Sequence, residues 1–237
     1  MSTSAETLFQ RNNTISERRR PAGLVASVAL IAALHFFGWL GMHWPVMDQW
    51  LARLTPFSSF LSLTPLNLLL CLGLLLAFHQ GFTRQFGRFA AACLLTGYWI
   101  EVAGVHTGVI FGSYYYGEVL GIKLLQVPLL IGVNWLILVY CTSEVTRRFI
   151  NKPLAGAAVA AALMVLLDVL IEPVAIYFGM WLWETPHVPL QNYLAWYVIS
   201  FVLCYLFFLP GFGKRNPLAP VIYVAQFLFF AAHNLVI

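Results

Sequence analysis

The chain has 237 residues, of which 61% are hydrophobic and 9% are charged, and its formal net charge is +4. A soluble domain usually carries about 25% charged residues, so this composition excludes an ordinary water-facing surface. The basic residues are not gathered on a face with interleaved aromatic side chains, which argues against nucleic acid as a partner.

Long unbroken apolar runs predict that the chain crosses a membrane as helices. In hydrocarbon every backbone polar group must pair internally, which leaves helices or a closed barrel. Barrel strands would alternate polar and apolar residues, and these runs do not. We therefore expect an all-α, multi-pass transmembrane helix bundle of about seven spans in the cell membrane, with the lipid bilayer around it.

In chain order, a polar segment comes first. Residues 1–21 are rich in Ser, Thr and Arg and are predicted to form a disordered cytoplasmic tail. Residues 22–237 are predicted to form a single transmembrane helical domain. Its first apolar run ends near Met42, and six further runs lie near residues 61–80, 87–104, 125–146, 154–178, 191–209 and 218–236. Each run is near the length of about 20 residues that spans a bilayer.

The distribution of basic residues supports this division. With the N-terminus inside, eleven Lys and Arg residues fall in inner segments, and only Arg53 and Lys123 fall in outer ones. Cytoplasmic connections of membrane proteins carry such an excess of positive charge. The pattern therefore predicts a cytoplasmic N-terminus and an external C-terminus.

Three carboxyl side chains, those of Glu101, Asp168 and Glu172, lie within the apolar runs. A charged residue at mid-bilayer costs about 2.5–3.5 kcal/mol on insertion scales, so such residues usually face the bundle interior. Asp168 and Glu172 are four residues apart and share a helix face. The face of Glu101 carries small residues, which mark close helix contacts: Ala90, Cys93, Gly97 and Gly104.

We predict that the two helices direct these acids into a common cavity, where they would be catalytic. Two close carboxyls cannot easily both ionise, so one can act as an acid and the other as a base. Nearby aromatic faces would stabilise a passing cation. This combination suits addition of water to an alkene in a lipid-soluble substrate, whereas a purely structural role, as hydrogen-bonded packing between helices, is the alternative. The six histidines show no facing pair at a common depth, so we expect no metal or haem site.

The segment from Glu101 to Trp135 contains a spaced run of Gly and aromatic residues. Its members are Glu101, Gly104, Thr107-Gly108, Phe111-Gly112, Tyr114, Tyr116, Leu120-Gly121 and Val127-Pro128. Later positions add Asp168, Glu172-Pro173, Trp181, Trp183, Glu184, Pro189 and Asn192. Over roughly residues 95–200 this pattern resembles the membrane-bound carotenoid 1,2-hydratase family.

The resemblance implies hydration of the terminal C1=C2 double bond of an acyclic (ψ) carotenoid end, which gives a tertiary alcohol without a cofactor. The substrate would be a carotenoid, and other carotenoid-biosynthesis enzymes are candidate partners. Our hypothesis is that Asp168 protonates C2 and that Glu172 or Glu101 takes a proton from the attacking water. Together with the resemblance, the apolar faces give these candidate substrate-binding residues: Tyr98, Trp99, Thr107, Phe111, Tyr114, Tyr116, Asn134, Trp135, Trp181, Trp183, Glu184 and Asn192.

Two other functions remain open at this point. The first is another enzyme that modifies polyisoprenoids, such as an isomerase or a cyclase. The second is a non-enzymatic protein that binds or transports membrane lipids or isoprenoids, although the chain lacks the related halves common in transporters.

Overall fold

The computed structural model describes residues 3–209 and 215–237, with side chains of the first helix described from residue 22 onward. Within these residues the chain forms eight α-helices: α1 (Thr3–His43), α2 (Pro45–Leu54), α3 (Thr64–Ala77), α4 (Arg84–Thr107), α5 (Leu130–Arg147), α6 (Pro153–Tyr177), α7 (Leu190–Phe208) and α8 (Ala219–Asn234). One 3-10 turn, Leu61–Leu63, precedes α3. The tail predicted for residues 1–21 overlaps the first part of α1, which begins at Thr3; its disorder and its cytoplasmic position stay predictions.

The helices confirm an all-α protein of membrane type. Four of them are long and apolar enough to cross a bilayer: Ala22–His43 of α1, α4, α6 and α7. Leu61–Ala77 and Ala219–Asn234 are apolar but shorter. Each predicted apolar run therefore overlaps one of these six helices or α5. The count of seven spans and the cytoplasmic N-terminus stay predictions.

Helix α5 forms the centre of the bundle. It packs against α3, α4, α6, α7 and α8, and its side chains from Trp135 to Glu144 are all buried. A helix that is buried on every side belongs to a core. Gly132 allows α4 to approach closely, because a Cβ there would lie 2.6 Å from the Leu94 carbonyl oxygen. On α4, a Cβ at Gly97 would collide with the Trp135 side chain. These contacts fix the face of α4 that carries Glu101.

Helix α2 was not predicted. It has no buried residue, and its exposed side chains include Trp50 and Leu54. Asp48 fastens it to the following connection by accepting a hydrogen bond of 2.7 Å from the Phe60 backbone. Pro45 at its first turn is a typical helix-start signal. An amphipathic helix of this kind suits the interface of a membrane.

A polar cluster ties one end of the bundle together around a fourth buried carboxyl, Glu144. This carboxyl accepts hydrogen bonds from Arg147 at 2.7 Å and from the Asn216 backbone at 3.1 Å. The Asn216 amide then donates to the Leu75 carbonyl oxygen at 2.8 Å, and Tyr140 contacts the same amide. The cluster therefore joins α3, α5 and the segment before α8.

The opposite end of the bundle carries two small antiparallel sheets, and we refer to it as the sheet end. Strand β1 (Tyr114–Tyr116) pairs with β4 (Trp181–Trp183), and β2 (Lys123–Leu124) pairs with β3 (Val127–Pro128). In the first sheet Tyr114 lies opposite Trp183, and Tyr116 lies opposite Trp181. Strands β1 and β4 come from the aromatic connections that precede α5 and α7. Strand β4 contacts α6, and β3 contacts α4.

Candidate active site

Below the sheet end, the three carboxyls predicted to be catalytic line one small cavity of about 30 Å³. Glu101 reaches it from α4, and Asp168 and Glu172 reach it from α6; each is at most 3% exposed. A cavity of this volume holds about one water molecule. The other lining residues are Tyr114, Tyr116, Ile131, Asn134, Trp135, Ile171, Trp181, Trp183, Asn192 and Trp196.

Glu101 is held by three neutral donors. Its Oε2 accepts hydrogen bonds from the phenols of Tyr114 and Tyr116, the latter at 2.9 Å. Its Oε1 accepts a hydrogen bond of 3.1 Å from the Trp135 indole. Hydrogen bonds donated to a carboxyl favour its charged form, whereas burial disfavours it. The three donors therefore offset part of the cost that burial imposes on an anion at Glu101.

Glu172 is surrounded in the same manner. Its Oε2 accepts hydrogen bonds from the indoles of Trp181 and Trp183, at 3.0 and 2.9 Å. Its Oε1 accepts a third bond of 3.3 Å from the Asn192 amide. Three donors again offset part of the cost that burial imposes on the charged form of the carboxyl.

Asp168 differs from the two glutamates. Within the described part of the chain it accepts one hydrogen bond, from Asn192 to Oδ2 at 3.1 Å. The same Asn192 nitrogen donates to Glu172, so Asp168 and Glu172 are bridged by a single amide. With one donor and a second acid beside it, Asp168 is the carboxyl best suited to carry a proton.

The sheet of β1 and β4 brings four hydrogen-bond donors to Glu101 and Glu172. Because side chains alternate along a strand, Tyr114 and Tyr116 face the bundle, while Tyr115 between them is 52% exposed. Tyr114 lies against Trp183 with ring centroids 5.0 Å apart. Burial, followed by the charge of Glu101, raises the pKa of both Tyr114 and Tyr116. Both phenols therefore remain neutral hydrogen-bond donors at physiological pH.

The lining of the small cavity is free of positive side chains as far as the structure describes the chain: none of its residues is Lys, Arg or His. All the donors to the three carboxyls are phenol, indole or amide groups. The site can therefore hold negative charge while its walls present aromatic faces, which is an arrangement that favours a cation.

A much larger cavity, of about 310 Å³, adjoins the small one. Ile131, Asn134, Ile171 and Trp181 line both cavities and so form their boundary. The walls of the large cavity are mainly aliphatic and aromatic side chains of α1, α3, α5 and α8. This arrangement places an apolar binding space directly beside the carboxyls.

Seven of the twelve candidate substrate-binding residues line the small cavity. These residues are Tyr114, Tyr116, Asn134, Trp135, Trp181, Trp183 and Asn192. Two others are buried outside it. Phe111 packs over Gly104, and Tyr98 donates a hydrogen bond of 2.6 Å to the Leu124 carbonyl oxygen. Both support the fold of the sheet end rather than the cavity surface.

The remaining three candidates lie at the protein surface. Trp99 is 53% exposed, because a residue two positions before Glu101 points to the other side of the helix. Thr107 ends α4, and its hydroxyl donates to the Ala103 carbonyl oxygen of its own helix at 2.6 Å. Glu184 follows Trp183 and is exposed.

One residue that lines the small cavity and one contact between histidines were not predicted from the sequence. Trp196 lines the small cavity and stacks on Trp135 with centroids 4.4 Å apart. Its spacing of four residues from Asn192 puts both on one face of α7, which is a signal that could have revealed it. In addition, His43 and His233 meet with ring nitrogens 2.8 Å apart, contrary to the expectation that no histidines face each other.

Comparison with known proteins adds to this geometry. The model of the carotenoid biosynthesis protein family matches residues 63–237 and so includes all three carboxyls. Bisanhydrobacterioruberin hydratase of Haloarcula japonica is 33% identical over 141 residues, which is 56% of this chain and 48% of that protein. The chain thus spans about half the length of the curated relative that it matches. No solved structure matches the chain.

Proposed function

Because the chain belongs to the carotenoid biosynthesis protein family, we propose that it is a membrane hydratase. It would add water to the terminal C1=C2 double bond of an acyclic carotenoid end and form a tertiary alcohol. The similarity to a named hydratase supports this reaction. The observation that carries the proposal is a water-sized cavity lined by three buried carboxyls beside a larger apolar cavity.

The first step is protonation of the alkene. Asp168 is the proton donor, because it has one hydrogen-bond donor whereas Glu101 and Glu172 have three each. Its proton goes to C2, the π electrons form the new C–H bond, and C1 becomes a tertiary cation. A positioned general acid contributes about 10²- to 10⁴-fold to such a step.

The cation at C1 is the costly intermediate, and the site is built to favour it. Glu101, held by three neutral donors, supplies a negative charge that nothing in the described lining neutralises. The faces of Trp135 and Trp196 supply π-electron density, and a cation over an aromatic ring gains about 0.5–2 kcal/mol. Fixed charges and dipoles of this kind stabilise a transition state without reorganising.

Water then attacks C1, and its proton goes to Glu172. Glu172 is the base because Asn192 bridges it to Asp168, the group that has just lost a proton. Transfer of that proton from Glu172 back to Asp168 restores the starting state. The balance is one alkene plus one water giving one alcohol, so no oxidant, reductant or cofactor takes part.

We also propose the membrane arrangement that the charge distribution predicts, with seven spans in the cell membrane and a cytoplasmic N-terminus. The sheet end then faces outward, and the carboxyls lie in the outer half of the bilayer. Reporter domains fused to the two termini test this arrangement, since an odd number of spans puts the termini on opposite sides.

The reaction is tested by expressing the protein in cells that make an acyclic carotenoid such as lycopene. The expected product has gained one water, as measured by chromatography and mass spectrometry. Asp168→Asn should abolish the product, while Glu118→Gln, a change at an exposed carboxyl outside the site, should not. Unchanged pigment with the wild-type protein would refute the hydratase and favour an isoprenoid-binding protein. Normal turnover by Asp168→Asn would refute the assignment of the acid.

A further inference from the structure

The large cavity is a partly open space beside the carboxyl site. Its volume is about 310 Å³, at the lower end of the range of about 300–1,000 Å³ found for pockets that hold drug-sized ligands. A carotenoid chain is longer than such ligands, so we expect part of a bound chain to lie outside the cavity.

The cavity opens to the side of the bundle, between α1 and α3. Three of its lining residues are also exposed on the bundle surface: Leu30 and Phe37 on α1, and Leu66 on α3, at 41%, 52% and 52%. Its deepest lining residues are buried, for example Leu138 at 1% and Ile131 at 6%. Helix α1 packs mainly on α8 and touches α3 only slightly. In a membrane, this opening faces lipid.

The inner end of the same cavity meets the carboxyl site. Ile131, Asn134, Ile171 and Trp181 line both spaces, so a chain end that passes these residues reaches the water-sized cavity. Asn134 is half-buried at this boundary. A route thus runs from lipid, past Leu66 and Ala33, to the acids.

We propose that the carotenoid enters end first from the lipid, through the opening between α1 and α3, while the remainder of its chain stays in the bilayer. This inference rests on the proposed function. One consequence follows from the position of the acids. Because both ends of a symmetrical carotenoid have to reach the same three carboxyls, the second end is hydrated only after the molecule has left and re-entered in the opposite direction. The mono-hydrated carotenoid is therefore a released intermediate.

Two matched pairs of variants test the route. Ala33 lines the cavity, whereas its neighbour Ala32 is exposed and lines a different groove, between α1 and α8. Leu66 lines the opening, whereas Leu69, on the same helix, is 49% exposed and does not line it. Ala33→Phe and Leu66→Trp should obstruct the route, and Ala32→Phe and Leu69→Trp are their controls.

Binding and turnover are measured separately. Lycopene binding is measured by absorbance of the pigment retained by each protein in phosphatidylcholine vesicles, with Asp168→Asn as background so that no turnover occurs. Ala33→Phe should lower retention at least tenfold relative to Ala32→Phe. In the catalytic protein, a time course from lycopene should show the mono-hydrated product first, and added mono-hydrated carotenoid should be converted as readily as that formed in place.

The outcomes separate the two proposals. Equal retention by Ala33→Phe and Ala32→Phe would overturn the route, and di-hydrated product without a free mono-hydrated stage would overturn the one-end-at-a-time consequence. Loss of retention in Ala33→Phe together with no hydration by wild type would support the route while refuting the hydratase. Retention lost in Ala33→Phe and Leu66→Trp but kept in both controls is the expected result.

Discussion

Replacing Tyr116 by Phe removes one hydrogen-bond donor from Glu101 and leaves the aromatic ring in place. The phenol donates to Glu101 Oε2 at 2.9 Å, and both side chains are buried. The adjacent Tyr115 is 52% exposed and points away from the site. Tyr115→Phe is therefore the same chemical change one residue away, and it serves as the control.

The magnitude follows from the number of donors. A hydrogen bond to a charged group contributes about 1.5–3 kcal/mol. Tyr114 still donates to the same oxygen and Trp135 to the other, so we expect the lower part of this range. A loss of about 1.4 kcal/mol in transition-state stabilisation lowers the rate about tenfold. Tyr116→Phe should therefore hydrate lycopene about ten times more slowly, and the double variant with Tyr114→Phe more slowly still.

The assay is the initial rate of hydrate formation in membranes, normalised to the amount of protein. It includes a pH series, because burial raises the pKa of Tyr116 and keeps its phenol protonated. The ratio of wild-type to Tyr116→Phe rates should therefore stay constant from about pH 6 up to about pH 10, the ordinary pKa of tyrosine. A rate equal to that of Tyr115→Phe would refute the role of the donors. A ratio that falls toward one in alkaline buffer would show that the phenol ionises.

Two further changes test other parts of the structure. Gly117→Ala should disrupt the first sheet and abolish hydration, since a Cβ there would collide with the Gly179 carbonyl oxygen. Gly87→Ala, at a helix position with open space, is the control and should be active. Comparable activity of the two variants would contradict the sheet's role. Glu144→Gln should lower stability by about 1–3 kcal/mol, because Arg147 loses its charged partner. Its turnover per folded molecule, measured as the rate of hydration, should be unchanged. Stability is measured by thermal unfolding in detergent, and an unaltered unfolding temperature would contradict the structural role.

The long apolar helices and the three acids of the small cavity could be predicted from the sequence because both depend on local properties. Runs of apolar residues mark helices whatever they pack against. Carboxyls inside such runs are costly, so Asp168 and Glu172 stood out, and their spacing of four put them on one face. The small residues on the face of Glu101 likewise indicated a contact, and Gly97 does lie against α5.

The sequence could not predict which side chains donate hydrogen bonds to the three carboxyls, because this depends on pairing between distant parts of the chain. Strands β1 and β4 have three residues each, too few for an alternating pattern to be recognised. Their register decides which aromatic side chains face the acids. Proximity in sequence was a poor guide, since Trp99 and Glu184 are next to site segments but point elsewhere. Helix α2, with ten residues, was too short for a hydropathy window.

The chemistry of the donors explains why the site contains tyrosine and tryptophan rather than lysine and arginine. A buried carboxyl has to be paired or hydrogen-bonded, and a cation would satisfy it most simply. A lysine or arginine at this position would cancel the negative charge and repel a carbocation at close range, where the effective dielectric constant is low. Phenol and indole groups satisfy Glu101 and Glu172 without adding charge, and their rings attract cations. The sheet thus keeps the acids hydrogen-bonded while leaving the cavity favourable to a positive intermediate.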